Sequence, residues 1–296
     1  QVLAENACEL VYVNSVAASE FVVAAKSLGK TVVLHVHEQA ATLRRLMEID
    51  LLKYEVLAMS DAVVLAADEL RKDVQEVFGH LPERCMSFGI ALDVAEIERL
   101  AREADAPAYN ADGTALGSGE RLVIGMCGTA SARKGADIFF EVAAAVPEHD
   151  FLWVGPWGSG TDANPSLEDF RGQRLPNLFV TEGVSNPYCH IARLDLFFLS
   201  SREDPNPLVI SEAMVLGVPI LAFSGTTSVA DFLGRNAILC YGETNTSDAV
   251  RVLRALDPKE LRSPGFRRAP DGFREQIDMT AKTTRLLAFL ASVQPV

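Results

Sequence analysis

Along the first hundred residues, short apolar runs rich in β-branched side chains alternate with stretches of helical period. The runs lie at 10–13, 31–36, 62–65 and 84–88, and each is short and bounded by turn or polar residues. Such runs read as strands. Helices are predicted between them at 17–28, 40–59 and 68–78, the first and last stopped by Gly29 and Gly79. Glycine just past the last periodic residue ends a helix because it accepts a left-handed backbone without penalty. Alternating strands and helices with short connections predict a parallel sheet.

Between Ala101 and Glu120 the pattern dissolves into Ala, Asp, Pro, Asn, Gly and Ser. This is the composition of a linker. It divides the chain into a first domain at 1–100, a linker at 101–120 and a second domain at 121–296. The alternation then restarts, with strands predicted at 122–126, 151–154, 178–180, 194–199, 219–223 and 237–241. Helices are predicted at 135–146, 207–216 and 271–292, the last ending the second domain. Six strands with crossovers make a complete doubly wound unit, whereas only four precede the linker. The expected fold is therefore α/β, two Rossmann-like doubly wound domains with the first incomplete.

Composition narrows the function. Hydrophobic residues make up 49% and charged residues 23% of the chain, as in a globular protein with a real core. The formal net charge of -13 argues against a nucleic-acid partner, whose phosphates need many Lys and Arg. Cys8, Cys85, Cys127, Cys189 and Cys240 are scattered and form no Cys-x-x-Cys pair. That argues against a disulfide framework or a zinc knuckle and fits a reducing, cytoplasmic setting. No apolar run has the length of a bilayer span, and no signal peptide is visible. The chain opens on Gln1 in what reads as the tail of a helix, so it is expected to be part of something longer.

The richest segment is Ser200-Ser201-Arg202-Glu203-Asp204-Pro205-Asn206-Pro207-Leu208-Val209-Ile210-Ser211-Glu212-Ala213-Met214. It follows the apolar strand at 194–199, and its prolines bracket a helix start. Asp204 and Glu212 thus flank a helix N-terminus at the carboxyl end of a central strand, where open α/β sheets bind ligands. Helix N-termini attract phosphate and carboxylates accept from sugar hydroxyls, so the pair suits a nucleotide-sugar. The plainer alternatives are a helix-dipole charge for Asp204 and an exposed helix position for Glu212.

A second turn, Cys127-Gly128-Thr129-Ala130-Ser131-Ala132-Arg133-Lys134-Gly135, also joins a strand end to a helix. Its small residues allow close backbone approach, and Arg133 and Lys134 offer two cations to a pyrophosphate. A tight turn with solvated cations explains the same residues. His35 and His37 close a strand in the first domain and, two apart, lie on one face. Metal ligation lacks a third partner of suitable spacing. Ordinary strand-end residues, or contact of His37 with a polar substrate, both remain open.

Together these residues resemble the family-4 (group 1) retaining glycosyltransferases of the two-domain GT-B architecture. That family pairs two acidic residues across seven others, followed by Ala-Met or Ala-Ala and Gly-x-Pro. Here the pattern stands as Asp204 to Glu212, Ala213-Met214 and Gly217-Val218-Pro219. Arg133-Lys134-Gly135 is similar to its phosphate turn, Phe151-Leu152-Trp153-Val154-Gly155 to its Gly-ended strand, and 178–183 to the strand near the base. Leu34-His35-Val36-His37-Glu38 and Ser60-Asp61-Ala62-Val63-Val64 resemble its first-domain strands.

The resemblance implies a nucleoside-diphosphate sugar as co-substrate, with no metal and no resident cofactor. Arg133 and Lys134 would bind the diphosphate beside Gly128 and Thr129. Asn206, Leu208 and Val209 would line the donor at the helix start, Glu212 would take the ribose, and Asp204 the transferred sugar. His37 would face that sugar. The acceptor would be a glycan or lipid-linked glycan of the cell surface. Membrane association is possible for such acceptors, but no basic amphipathic segment argues for it, and the acidic balance opposes anionic membranes.

The chain departs from the family at several points. The first acidic position is Asp rather than Glu, and Gly-Phe-Gly is replaced by Pro205-Asn206-Pro207, which removes two backbone donors. Thr129 stands where a cation is common, and Ala67 where serine is usual. The family's first strand and Gly-rich loop would precede Gln1. Two other functions stay open on this sequence: a nucleotide-sugar epimerase of the same architecture, and a non-catalytic nucleotide-binding or structural module.

Overall fold

The computed structural model describes residues 7–103, 115–159, 167–168, 170, 175–202, 204, 207–224, 237–240 and 245–293. Two compact units divide the chain, one of residues 1–92 with 277–296 and one of 93–276.

The first unit holds a four-stranded parallel sheet in the order β1 (Leu10–Asn14), β2 (Thr31–Val36), β3 (Ala62–Leu65), β4 (Cys85–Ser87). Helices α1 (Glu20–Ser27), α2 (Ala40–Glu48), α3 (Val56–Met59) and α4 (Leu70–Phe78) make the crossovers. Period-2 alternation sorts each strand between two faces. Val32, Leu34, Val36, Val63 and Leu65 pack with Val22, Leu43, Val56, Val74 and Phe78 from these helices. Val33, Ala62 and Val64 point the other way. The predicted strands are all present, but the helix predicted at 40–59 is broken. Asp50 adopts a left-handed φ of 61°, and the amides of Leu51 and Leu52 turn back to the carbonyl of Leu46.

The second unit begins with α5 (Val94–Glu103), most of which the sequence pattern had placed in the first domain, with a linker starting at Ala101. Its sheet has six parallel strands in the order β10-β9-β8-β5-β6-β7. These are β5 (Val123–Cys127), β6 (Asp150–Val154), β7 (Leu178–Val180), β8 (Leu196–Leu199), β9 (Ile220–Phe223) and β10 (Ala237–Cys240). The connecting helices are α6 (Ala136–Ala145), α7 (Tyr188–Ile191), α8 (Leu208–Val215), α9 (Thr246–Ala255) and α10 (Pro258–Leu261). From β5 the chain winds outward through β6 and β7, then returns to set β8 on the other side of β5. The strand order therefore reverses between β5 and β8, and the crevice at their carboxyl ends is the topological switch point.

The helix predicted at 271–292 is two helices, α11 (Phe273–Ile277) and α12 (Met279–Val293). They part at Asp278, which pairs in an isolated bridge with Leu92 and caps the new helix by accepting from the amide of Ala281. The sequence placed all of this stretch in the second domain. Only α11 up to Gln276 lies there; α12 belongs to the first unit, because Leu286, Phe289, Leu290 and Val293 cover Val33, Ala62 and Val64.

Candidate functional site

At the end of β5 the chain must pass close to the end of β6. The amide of Gly128 donates to the carbonyl of Val154 at 2.9 Å, and the Trp153 indole donates to the carbonyl of Gly128 at 2.8 Å. A side chain on Gly155 would put its Cβ 2.3 Å from that same carbonyl oxygen. Glycine there lets the two backbones meet. After Thr129 the turn folds back at Gly135, whose left-handed φ of 64° starts α6.

The loop after β8 is tied onto this turn. Ser200 Oγ donates to the carbonyl of Lys134 at 3.0 Å, and the amide of Arg202 donates to the carbonyl of Arg133 at 3.0 Å. The Arg202 guanidinium donates to the carbonyl of Ala132 and grips Asp137 with bonds of 2.8 and 2.6 Å. With the turn so held, the Lys134 ammonium pairs with the carboxylate of Asp204, which also accepts from Ser201 Oγ at 3.4 Å. Arg133 is exposed, and Gly128 and Thr129 are half-buried.

Helix α8 starts after Pro207, whose side chain offers its first amides no cap. Leu208 is exposed there and Val209 buried. One turn further in, half-buried Glu212 accepts from the Tyr188 hydroxyl at 3.2 Å. Burial pushes the Glu212 carboxyl up from its ordinary value, and the Tyr188 hydrogen bond pulls it partly back. Burial likewise pushes the Tyr188 hydroxyl up to about 12, with the charge of Glu212 adding to the effect. Cys127, at the tip of β5, is pushed up to about 12 by burial and then by Glu212, against Lys134. It is an unreactive thiol in the floor of the site.

The structure thus gathers Gly128, Thr129, Lys134, Asp204 and Glu212 at the switch point. Asn206 lies outside the described residues. His37 belongs to the first unit, exposed just beyond β2, with its ring 4.0 Å from that of His35 centroid to centroid. Sequence reasoning missed Tyr188 and Arg202, whose partners lie 24 and 65 residues away along the chain and leave no local signal. Among the described residues no group of three or more His, Cys, Asp or Glu could hold a metal ion, and no helix is long and apolar enough to cross a membrane.

Lys134, Asp204, Glu212 and the start of α8 meet at one switch point, within a stretch that matches a family model. Residues 121–257 match the family model described as glycosyl transferases group 1. No curated protein matches the sequence. Among solved structures, Anabaena HepE in complex with UDP-glucose is 18% identical, with a TM-score of 0.73 over 96% of this chain and 79% of that one. Sucrose-phosphate synthase from Thermosynechococcus elongatus is 12% identical, with a TM-score of 0.72 over 99% and 75%. The lipopolysaccharide outer core galactosyltransferase WaaB is 16% identical, with a TM-score of 0.67 over 99% and 77%. At such identities the likeness is one of fold, the parallel-sheet α/β fold of GT-B glycosyltransferases.

Proposed function

We propose that this chain is a glycosyltransferase that takes a sugar from a nucleoside-diphosphate donor bound in its second unit. The sugar passes to a hydroxyl of a glycan or lipid-linked acceptor with retention of anomeric configuration. The observation that carries this reading is the convergence of Lys134, Asp204 and Glu212 on the switch point beside the start of α8. The match of residues 121–257 to the group 1 model supports it.

In this reading Arg133, Lys134 and the amides near Gly128, Thr129, Asn206, Leu208 and Val209 hold the diphosphate, as cations and helix amides do. Glu212 accepts from the ribose diol. A diphosphate competes with Asp204 for Lys134, which frees the Asp204 carboxylate for a sugar hydroxyl. In the transfer the bond from the anomeric carbon to the diphosphate oxygen breaks. The acceptor oxygen bonds to the same face of that carbon, and its proton leaves on the released diphosphate. The residues supply positioning and charge stabilisation rather than a strong base. His37 of the first unit is assigned to a sugar hydroxyl.

Calorimetric titration with UDP, GDP and ADP tests the donor site. One nucleotide is expected to bind selectively, and Glu212→Ala to weaken it by about 10- to 100-fold, the worth of a charged hydrogen bond. Binding of none of them by the wild type overturns the reading.

A further inference from the structure

We propose that Asn14 and His35 are positioning residues for His37, holding its ring in one neutral tautomer that carries hydrogen on Nε2 and presents Nδ1 as a hydrogen-bond acceptor. The inference deepens the proposed function and rests on it only for what Nδ1 meets, a donating sugar hydroxyl.

The argument begins with the register of the first sheet. Asn14 ends β1 directly beside His35 of β2, and His37 lies two residues on, on the same face. Asn14 Oδ1 is 2.8 Å from His37 Nε2. A carbonyl oxygen only accepts, so the hydrogen of that bond sits on Nε2. Nδ1 then carries the lone pair, on a ring that is exposed.

His35 fixes the ring from below. It is 7% exposed, and its ring lies 4.0 Å from that of His37, tilted by 37°. Its Nδ1 is 2.8 Å from the Tyr12 hydroxyl, and Phe88 meets it edge-on. Its Nε2 is buried and has no partner among the described residues. A second charge beside such a ring is strongly disfavoured, and burial with the neighbouring His37 pushes His35 down to about 3. Burial also pushes His37 down, against the opposing pull of Glu38.

Among the described residues Glu38 is the carboxylate that acts on the ring, and its oxygens are spent elsewhere. One accepts from the His37 amide at 2.8 Å and the other from Ser15 Oγ at 2.5 Å. Ser15 holds this arrangement at a φ of 120°, a strained value for a residue other than glycine, while its amide donates to the carbonyl of His35. Strain kept at a strand tip marks a place where geometry is being specified. The groups facing His37 are therefore His35, with Tyr12 behind it, Asn14 and Glu38, and together they favour a neutral ring that accepts at Nδ1.

Long-range 1H–15N correlation spectra of the full chain read the tautomer directly. The His37 signals are identified by their loss in His37→Gln. A protonated Nε2 and an unprotonated Nδ1, persisting below the usual histidine midpoint, are expected. Asn14→Ala is expected to mix the tautomers. A wild-type ring protonated on Nδ1, which would mean that the Asn14 amide faces the other way, overturns the proposal. So does a midpoint near the ordinary histidine value, or an unchanged tautomer in Asn14→Ala. The wild-type spectrum decides the main point even where a variant fails to fold. Because the readout needs no nucleotide, failure of the donor site and failure of this inference are separate results.

Discussion

The ammonium of Lys134 and the carboxylate of Asp204 meet 70 residues apart in sequence, with side chains only 16% and 11% exposed. Removing one partner strands a charge in a poorly solvated place, which costs about 3–5 kcal/mol in buried pairs, whereas replacing both costs far less. Lys134→Met and Asp204→Leu are each expected to destabilise the second unit by about 3 kcal/mol, and the double variant by less than the sum of the two. Urea unfolding of the four proteins measures the cycle. Additive losses would show that the pair contributes nothing as a pair.

Burial of the Glu212 carboxyl has a cost in stability. Its folded pKa lies above the unfolded value, so its contribution to stability is present below the unfolded pKa and is lost as pH rises through the folded one. Ionised Glu212 therefore costs stability at neutral pH. Glu212→Gln is expected to melt higher than wild type near pH 7 and level with it near pH 4, while losing nucleotide affinity. Tyr188→Phe removes the bond that partly restores the carboxylate, and is expected to melt lower near pH 7. Thermal melts at both pH values check this, and a Glu212→Gln variant less stable at each would refute it.

Much of this was legible in the sequence because strand ends in a parallel sheet carry local marks. A run such as Phe151 to Val154 is apolar on both faces and closed by Gly155, and its limits follow from those residues alone. Asp204 and Glu212 were legible by their spacing around a helix start. The order of strands was not. Nothing near Leu196 says that β8 returns to β5, because that pairing is decided by which edges remain open once β6 and β7 have added. Helix partners were hidden for the same reason. The stripe of Leu286, Phe289, Leu290 and Val293 is plain in the sequence, but the sheet it covers is fixed by packing. Helix 40–59 failed differently, since the apolar period runs on through Ile49, Leu51 and Leu52 while Asp50 turns the backbone.

Two glycines with similar backbone angles should respond differently to the same change. Gly135 and Gly29 have φ of 64° and 68°, but an added Cβ would lie 1.9 Å from the Ser200 carbonyl oxygen at Gly135 and meet nothing at Gly29. Gly29→Ala is expected to cost about 1 kcal/mol, the left-handed penalty alone. Gly135→Ala must also push the turn after β5 off the end of β8, and is expected to cost about 3 kcal/mol or more. It should also disturb the Lys134–Asp204 pair. Equal losses in chemical denaturation would mean that the turn and β8 separate freely.

The last helix is expected to hold up the first unit. Without α12 the face of Val33, Ala62 and Val64 would lie against water, in the centre of the sheet. Leu286, Phe289, Leu290 and Val293 recur at the three-four spacing of one helix face, while Leu287 lies off it and is 59% exposed. Leu290→Asp puts a charge into that contact and is expected to cost about 2–4 kcal/mol. Leu287→Asp is expected to stay within about 0.5 kcal/mol of wild type. Hydrogen exchange locates the effect: Leu290→Asp should speed exchange of the β2 and β3 amides and leave β5 to β8 unchanged. Faster exchange confined to β5–β8 would mean that α12 stabilises the second unit instead, as its place in the sequence suggested.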